Sequence, residues 1–104
     1  MATVQDQGNI YYFFKNNTVE EAESDAVTRW GFDSHTVYVK NPDAVPVTVQ
    51  VSPNGRDWYD AAPEATDTAF IVHVTLLCKY MRVVRGVGAG TVTATVVSGN
   101  LTHT

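Results

Sequence analysis

Residues 45–59 read Val45-Pro46-Val47-Thr48-Val49-Gln50-Val51-Ser52-Pro53-Asn54-Gly55-Arg56-Asp57-Trp58-Tyr59. Val45, Val47, Val49 and Val51 alternate with Pro46, Thr48, Gln50 and Ser52, the two-residue period of a strand with one buried face. Pro53-Asn54-Gly55 stops the run, and Asn-Gly is the pair that best tolerates the positive φ of a tight hairpin turn. Trp58 and Tyr59 follow on the returning side. Strand, turn and returning strand make this stretch a β-hairpin.

The same pattern recurs on both sides. Ile10-Tyr11-Tyr12-Phe13-Phe14 is a concentrated run of strand formers ended by Lys15-Asn16-Asn17, and it reads as a strand covered on both faces. Thr18 with Glu21 fits a capping box, but the apolar stripe of Val19, Ala22 and Ala26 is thin, so residues 18–25 read as a loop or one strand. Residues 27–32, with Trp30, form a short strand. Thr36-Val37-Tyr38-Val39-Lys40 alternates cleanly and stops at Asn41-Pro42-Asp43-Ala44, a turn composition, so residues 36–51 read as another hairpin. Further strands are expected over 56–61, over 70–76 with Phe70, Val72, Val74 and Leu76 on one face, over 79–85, and over 91–97 with Val92, Ala94 and Val96 inward.

About seven or eight short strands with regularly spaced turn signals indicate an all-β fold, an antiparallel β-sandwich of jelly-roll-like or Ig-like form. Its valines and threonines suit a pleated surface. The few leucines (Leu76, Leu77 and Leu101) argue against a helical core. A length of 104 residues suits one domain, organised as an N-terminal arm over 1–9, a sandwich over 10–97 and a polar C-terminal tail over 98–104.

Composition narrows function. A formal charge of −4 and an isoelectric point near 5.1 oppose the basic footprint of a nucleic-acid binder. Arg82 and Arg85 fall on opposite faces of a strand, so they do not form one patch. No run approaches the roughly 18 apolar residues needed to span a bilayer, and the start of the chain lacks a signal-peptide pattern. The single Cys78 cannot form an internal disulfide, which fits synthesis in a reducing cytoplasm. On that route the glycosylation patterns at Asn16 and Asn100 read as chance.

Candidate chemistry is sparse. Gly86, Gly88 and Gly90 precede a Thr/Val strand rather than the helix that a phosphate cradle requires, so they read as a hairpin loop. Cys78 could be a nucleophile beside a histidine, but His73 lies at an odd separation, on the opposite face of a continuous strand. Cys78 therefore reads as a small core hydrophobe. His35, His73 and His103 show no metal-ligand spacing. Asp57, Asp60, Glu64 and Asp67 lack the spacing of a calcium loop and read as a solvated rim. Trp58 is expected to fill the end of the sandwich, with Tyr59 on the other face. Exposed aromatics of this kind anchor interfaces or stack on sugar rings. Trp30, Arg56 and Tyr59 are the candidate contact residues; no catalytic, cofactor-binding or metal-ligating residue is assigned, and no enzyme activity is expected.

The stretch from Val49 to Trp58, followed by Lys79-Tyr80-Met81-Arg82-Val83 and Gly88-Ala89-Gly90-Thr91-Val92-Thr93-Ala94, resembles two groups of proteins. One is the discoidin-like or galactose-binding-like sandwich, in which a strand ending S-x-D-G-x-x-W precedes a Y-x-R strand. The other is the small β-sandwich accessory proteins of tailed-phage virions, the capsid decoration or cement proteins and related tail and neck components. The likeness covers roughly the C-terminal half. Discoidin-like domains are typically secreted, longer and disulfide-closed, and position 54 is Asn where they carry Asp, so the phage group fits better. That resemblance implies a virion protein made in the host cytoplasm. It implies attachment to a major capsid protein or other virion protein, as a homo-oligomer with a trimer favoured, without nucleic acid, membrane or cofactor. The other resemblance implies a carbohydrate-binding module using rim aromatics such as Tyr59.

Overall fold

The computed structural model describes residues 10–29, 31–75 and 78–100. The proposed arm over 1–9, Trp30, the leucine pair at 76–77 and residues 101–104 lie outside that set. Nine strands are present among the described residues: β1 (Ile10–Asn17), β2 (Ala22–Glu23), β3 (Val27–Thr28), β4 (Ser34–Lys40), β5 (Val47–Ser52), β6 (Tyr59–Asp60), β7 (Ala69–Val74), β8 (Tyr80–Arg85) and β9 (Val92–Gly99). They form two antiparallel sheets. Sheet A has the order β1-β9-β4-β7, and sheet B the order β2-β8-β5-β6, with β3 also paired to β8.

The core is what the alternation predicts. Val47, Val49 and Val51 of β5, Met81 and Val83 of β8, Val37 and Val39 of β4, and Val92, Ala94 and Val96 of β9 are all buried. Each valine withdrawn from water contributes about 1.5–3 kcal/mol, so the inward rows of these strands hold the two sheets together. The all-β sandwich is the observed architecture.

Several local expectations change. Strands β4 and β5 do not pair; β4 lies in sheet A and β5 in sheet B, so residues 41–46 form a crossover between sheets and not a hairpin turn. Asn41 makes the crossover possible. Its fully buried side chain donates from Nδ2 to the Val45 carbonyl at 2.6 Å and accepts at Oδ1 from the Val45 amide at 2.9 Å. That clamp satisfies backbone groups that would otherwise need a strand partner. The 45–59 hairpin does form through Gln50↔Asp60 and Val51↔Tyr59. Its returning strand is only two residues long, and its loop is wider than a two-residue turn. The positive φ falls on Gly55 (81°) and not on Asn54. Asn54 instead accepts at Oδ1 from the amides of Arg56 and Asp57 at 2.8 and 2.9 Å.

Strand β1 is an edge strand and is not covered on both faces, since Tyr12 is exposed. Register shifts on either side of Phe14 break the two-residue period, as a β-bulge does, and consecutive Phe13 and Phe14 both reach the core. Residues 18–25 contain no helix but the short strand β2. Strand β9 runs on through Gly99 with Ser98 buried, so Ser98 and Gly99 belong to the sandwich and not to a tail. Among the described residues Arg85 is the largest fully buried side chain. Its guanidinium donates to the carbonyls of Asn17, Gly90 and Gly88, tying the 86–90 loop to the end of β1.

Candidate interaction surfaces

On a sheet every second side chain points away from the core, so each sheet offers one outer face. In β8 the inward residues are Met81, Val83 and Arg85, which turns Arg82 outward on sheet B. The Arg82 guanidinium carbon lies 4.2 Å from the Trp58 ring centroid, a cation–π contact. Its Nε donates to Gln50 Oε1 at 2.8 Å, and Gln50 Nε2 donates to Asp60 Oδ1 at 2.9 Å. Its Nη1 lies 3.4 Å from Glu23. The cluster therefore spans β2, β8, β5 and β6, from one edge of sheet B to the other. Trp58 is half-buried under Arg82 and does not fill the core. The reason is register: Asp60 stands opposite outward-facing Gln50, and Trp58, two residues earlier, shares that side.

Tyr59 takes the other side and is 61% exposed at the β6 edge. Arg56 is exposed on the neighbouring loop. These two candidates and Trp58 thus gather at one end of sheet B. Trp30 lies outside the described residues.

The outer face of sheet A is built differently. Tyr12↔Thr95, Thr95↔Tyr38 and Tyr38↔Ile71 are in register, so one row crosses all four strands. Ile10, Val97, Thr36 and His73 make a parallel row, and Lys40 stands beside Thr93 and Ala69. An open groove of ≈ 600 Å³ lies over this face. The Lys15 ammonium sits 5.0 Å from the Tyr12 ring centroid. Sequence reading missed this face because its members come from four separated segments.

The remaining candidates resolve into supporting structure. The neighbour of Cys78 is His35 and not His73: Cys78 Sγ lies 3.9 Å from His35 Nε2, and His35 Nδ1 lies 2.9 Å from Ser98 Oγ, which also accepts from Arg29 Nη1 at 3.1 Å. Burial lowers the His35 pKa, with Arg29 adding to the effect. Burial likewise raises the Cys78 thiol, against a smaller opposing pull from Arg29. Both shifts favour neutral forms, which opposes the thiolate that a nucleophile requires. His73 is exposed and pairs with Thr36 Oγ1 at 3.0 Å. In the glycine loop, the Gly88 amide donates to Glu20 and the Gly86 amide to the Pro46 carbonyl, which leaves those amides unavailable for phosphate. Asp57 and Asp60 accept from Asn54 and Gln50. Among the described residues no three His, Cys, Asp or Glu side chains gather around a possible metal position. No helix among them is long and apolar enough to cross a membrane.

No protein-family model and no curated protein matches the sequence. Among solved structures, the chain is similar to the SPBc2 prophage-derived protein YomS, with a TM-score of 0.64 at 13% identity, covering 86% of this chain and 91% of that one. A mutant of the family 29 carbohydrate-binding module CBM29-2 also matches, with a TM-score of 0.47 at 12% identity, covering 88% and 93%. At these identities the first likeness is one of fold.

Proposed function

We propose that this chain is a structural virion protein, a decoration or cement protein that binds the outside of a phage capsid lattice and stabilises it without catalysing a reaction. The observation that carries this reading is the anchor on sheet B. Trp, Arg and Tyr are the residues that most often dominate binding energy at interfaces, and here Trp58 and Arg82 are stacked and held by Gln50 and Glu23. Exposed Arg56 lies on the adjoining loop, and exposed Tyr59 projects from the opposite side of β6 at the sheet edge. A side chain already fixed in place loses less freedom on docking. Fold likeness to a prophage-derived protein over nearly the whole of both chains supports the phage setting. Assembly as a homotrimer at local three-fold positions would multiply a modest contact by avidity; light scattering tests that state directly.

The test of the function is binding to expanded capsids. The wild-type chain co-sediments with them and raises the temperature at which they open, and Tyr59→Ala weakens both effects. A purified chain that stays in the supernatant, or particles equally heat-resistant without it, would overturn the reading. Labelling the protein within particles separates a capsid position from one in the tail or neck.

A further inference from the structure

We propose that the groove on the outer face of sheet A binds an acidic saccharide, with a pyranose ring stacked on Tyr38 and its carboxylate directed to Lys40. This does not depend on the capsid reading, because it uses the opposite face of the molecule.

Three properties of the groove converge on that ligand. The first is shape. At ≈ 600 Å³ it falls within the roughly 300–1,000 Å³ of small-ligand sites, which suits a short oligosaccharide better than a flat protein surface. The second is the row Tyr12, Thr95, Tyr38 and Ile71. Tyr12 and Tyr38 stand on strands separated only by β9, so about 10 Å separates them at a spacing of about 4.8 Å per strand. Each tyrosine is 48% exposed, and Thr95 of β9 stands between them in the row, whereas the neighbouring Thr93 hydroxyl is taken up by Asn16. Ring faces bind the flat C–H side of a pyranose, while hydroxyls can both donate to and accept from its OH groups. A floor that alternates ring and hydroxyl is complementary to a polyhydroxylated ring and less so to a purely apolar ligand.

The third property is charge. The whole chain has 11 acidic and 7 basic residues, yet β1, β4, β7 and β9 contain no Asp or Glu at all. Lys40 lines the groove, and Lys15 flanks it at Tyr12. Among the described residues neither lysine has a carboxylate within 4 Å. An anion repelled by the acidic remainder of the molecule therefore meets cations here. A nucleotide would also stack and carry negative charge, but nucleic-acid binders follow the backbone with a continuous basic track, and two lysines on strands separated by β9 do not make one.

Calorimetric titration of the full chain tests this with three probes: a linear trisaccharide of uronic acid units, the same trisaccharide with its carboxylates reduced, and a mononucleotide. The uronate is expected to bind about tenfold more tightly than the reduced form, a difference of about 1.4 kcal/mol. Tyr38→Ala should weaken both saccharides by about tenfold or more. Lys40→Gln should erase the preference while retaining the reduced sugar. Tyr59→Ala, on sheet B, should change neither. Circular dichroism confirms that each variant is folded. Absence of heat with both saccharides would overturn the proposal, as would a Tyr38→Ala variant that binds like wild type or a mononucleotide that binds more tightly than the uronate. Loss of capsid binding in Tyr38→Ala would also overturn it, because the face would then be a protein contact.

Discussion

The two outer faces of this sandwich use the same pleat to opposite ends. On sheet B the outward residues are bonded to one another: Arg82 is taken up by Trp58, Gln50 and Glu23, and Gln50 by Asp60. On sheet A the outward residues are set in register, but two tyrosines, an isoleucine and a lysine are left facing the groove. A face whose polar groups satisfy each other is rigid and presents a fixed shape. One whose rings and ammonium groups are not engaged by carboxylates presents chemistry to a ligand. The contrast separates residues that hold the molecule together from residues that a stability measurement should barely register.

Breaking what both faces share should cost most. Replacing Arg85 by Leu strands the carbonyls of Asn17, Gly88 and Gly90 at the end of the sandwich. These carbonyls are part-buried, so at about 1 kcal/mol per lost hydrogen bond a loss of about 3 kcal/mol is expected in urea unfolding. His35 should give the next effect, and it depends on pH. Its folded pKa lies below the ordinary 6.5 because the ring is buried, so below about pH 6.5 the unfolded chain binds a proton that the folded chain does not. Stability is therefore fully present above the unfolded pKa and declines as pH falls through 6.5 toward the folded value. His35→Gln should flatten that part of a profile of unfolding midpoint against pH.

Smaller effects separate the faces. Arg82→Ala removes a cation–π contact and a charged hydrogen bond from a partly exposed site, for a loss of about 1–2 kcal/mol, and should free Trp58 to quench differently in fluorescence. Tyr38→Ala should shift stability by no more than about 0.5 kcal/mol. A large loss at Tyr38 would mean that the sheet A face is structural after all, and the contrast between faces would collapse.

The valine rows of β5 and β9 and the paired strands around Asn54-Gly55 were legible in the sequence because period and turn chemistry are local signals. Partner choice was not. Residues 36–40 and 45–51 looked like hairpin arms, but the Asn41 clamp to Val45 sends them to different sheets, and nothing in a two-residue period reports on sheet membership. Trp58 was misplaced for a related reason. Its side was decided by the pairing of Asp60 with Gln50, a choice of register and not of composition. That Trp58 and Tyr59 face opposite sides could be read from their adjacency on a strand, whereas Arg56 was expected in that strand and lies in the loop before it. The row from Tyr12 to Ile71 could not be read at all, since it exists only once β1, β9, β4 and β7 are placed side by side.

On the proposed function, sheet B carries the contact with a larger assembly. Co-sedimentation with expanded capsids, comparing wild type, a Trp58→Ala/Tyr59→Ala double variant and Tyr38→Ala, tests it most directly. Wild type and Tyr38→Ala are expected to pellet with the capsids, and the double variant, folded by circular dichroism, is expected to stay in the supernatant. A double variant that pellets like wild type, or a wild-type chain that never pellets, would contradict it.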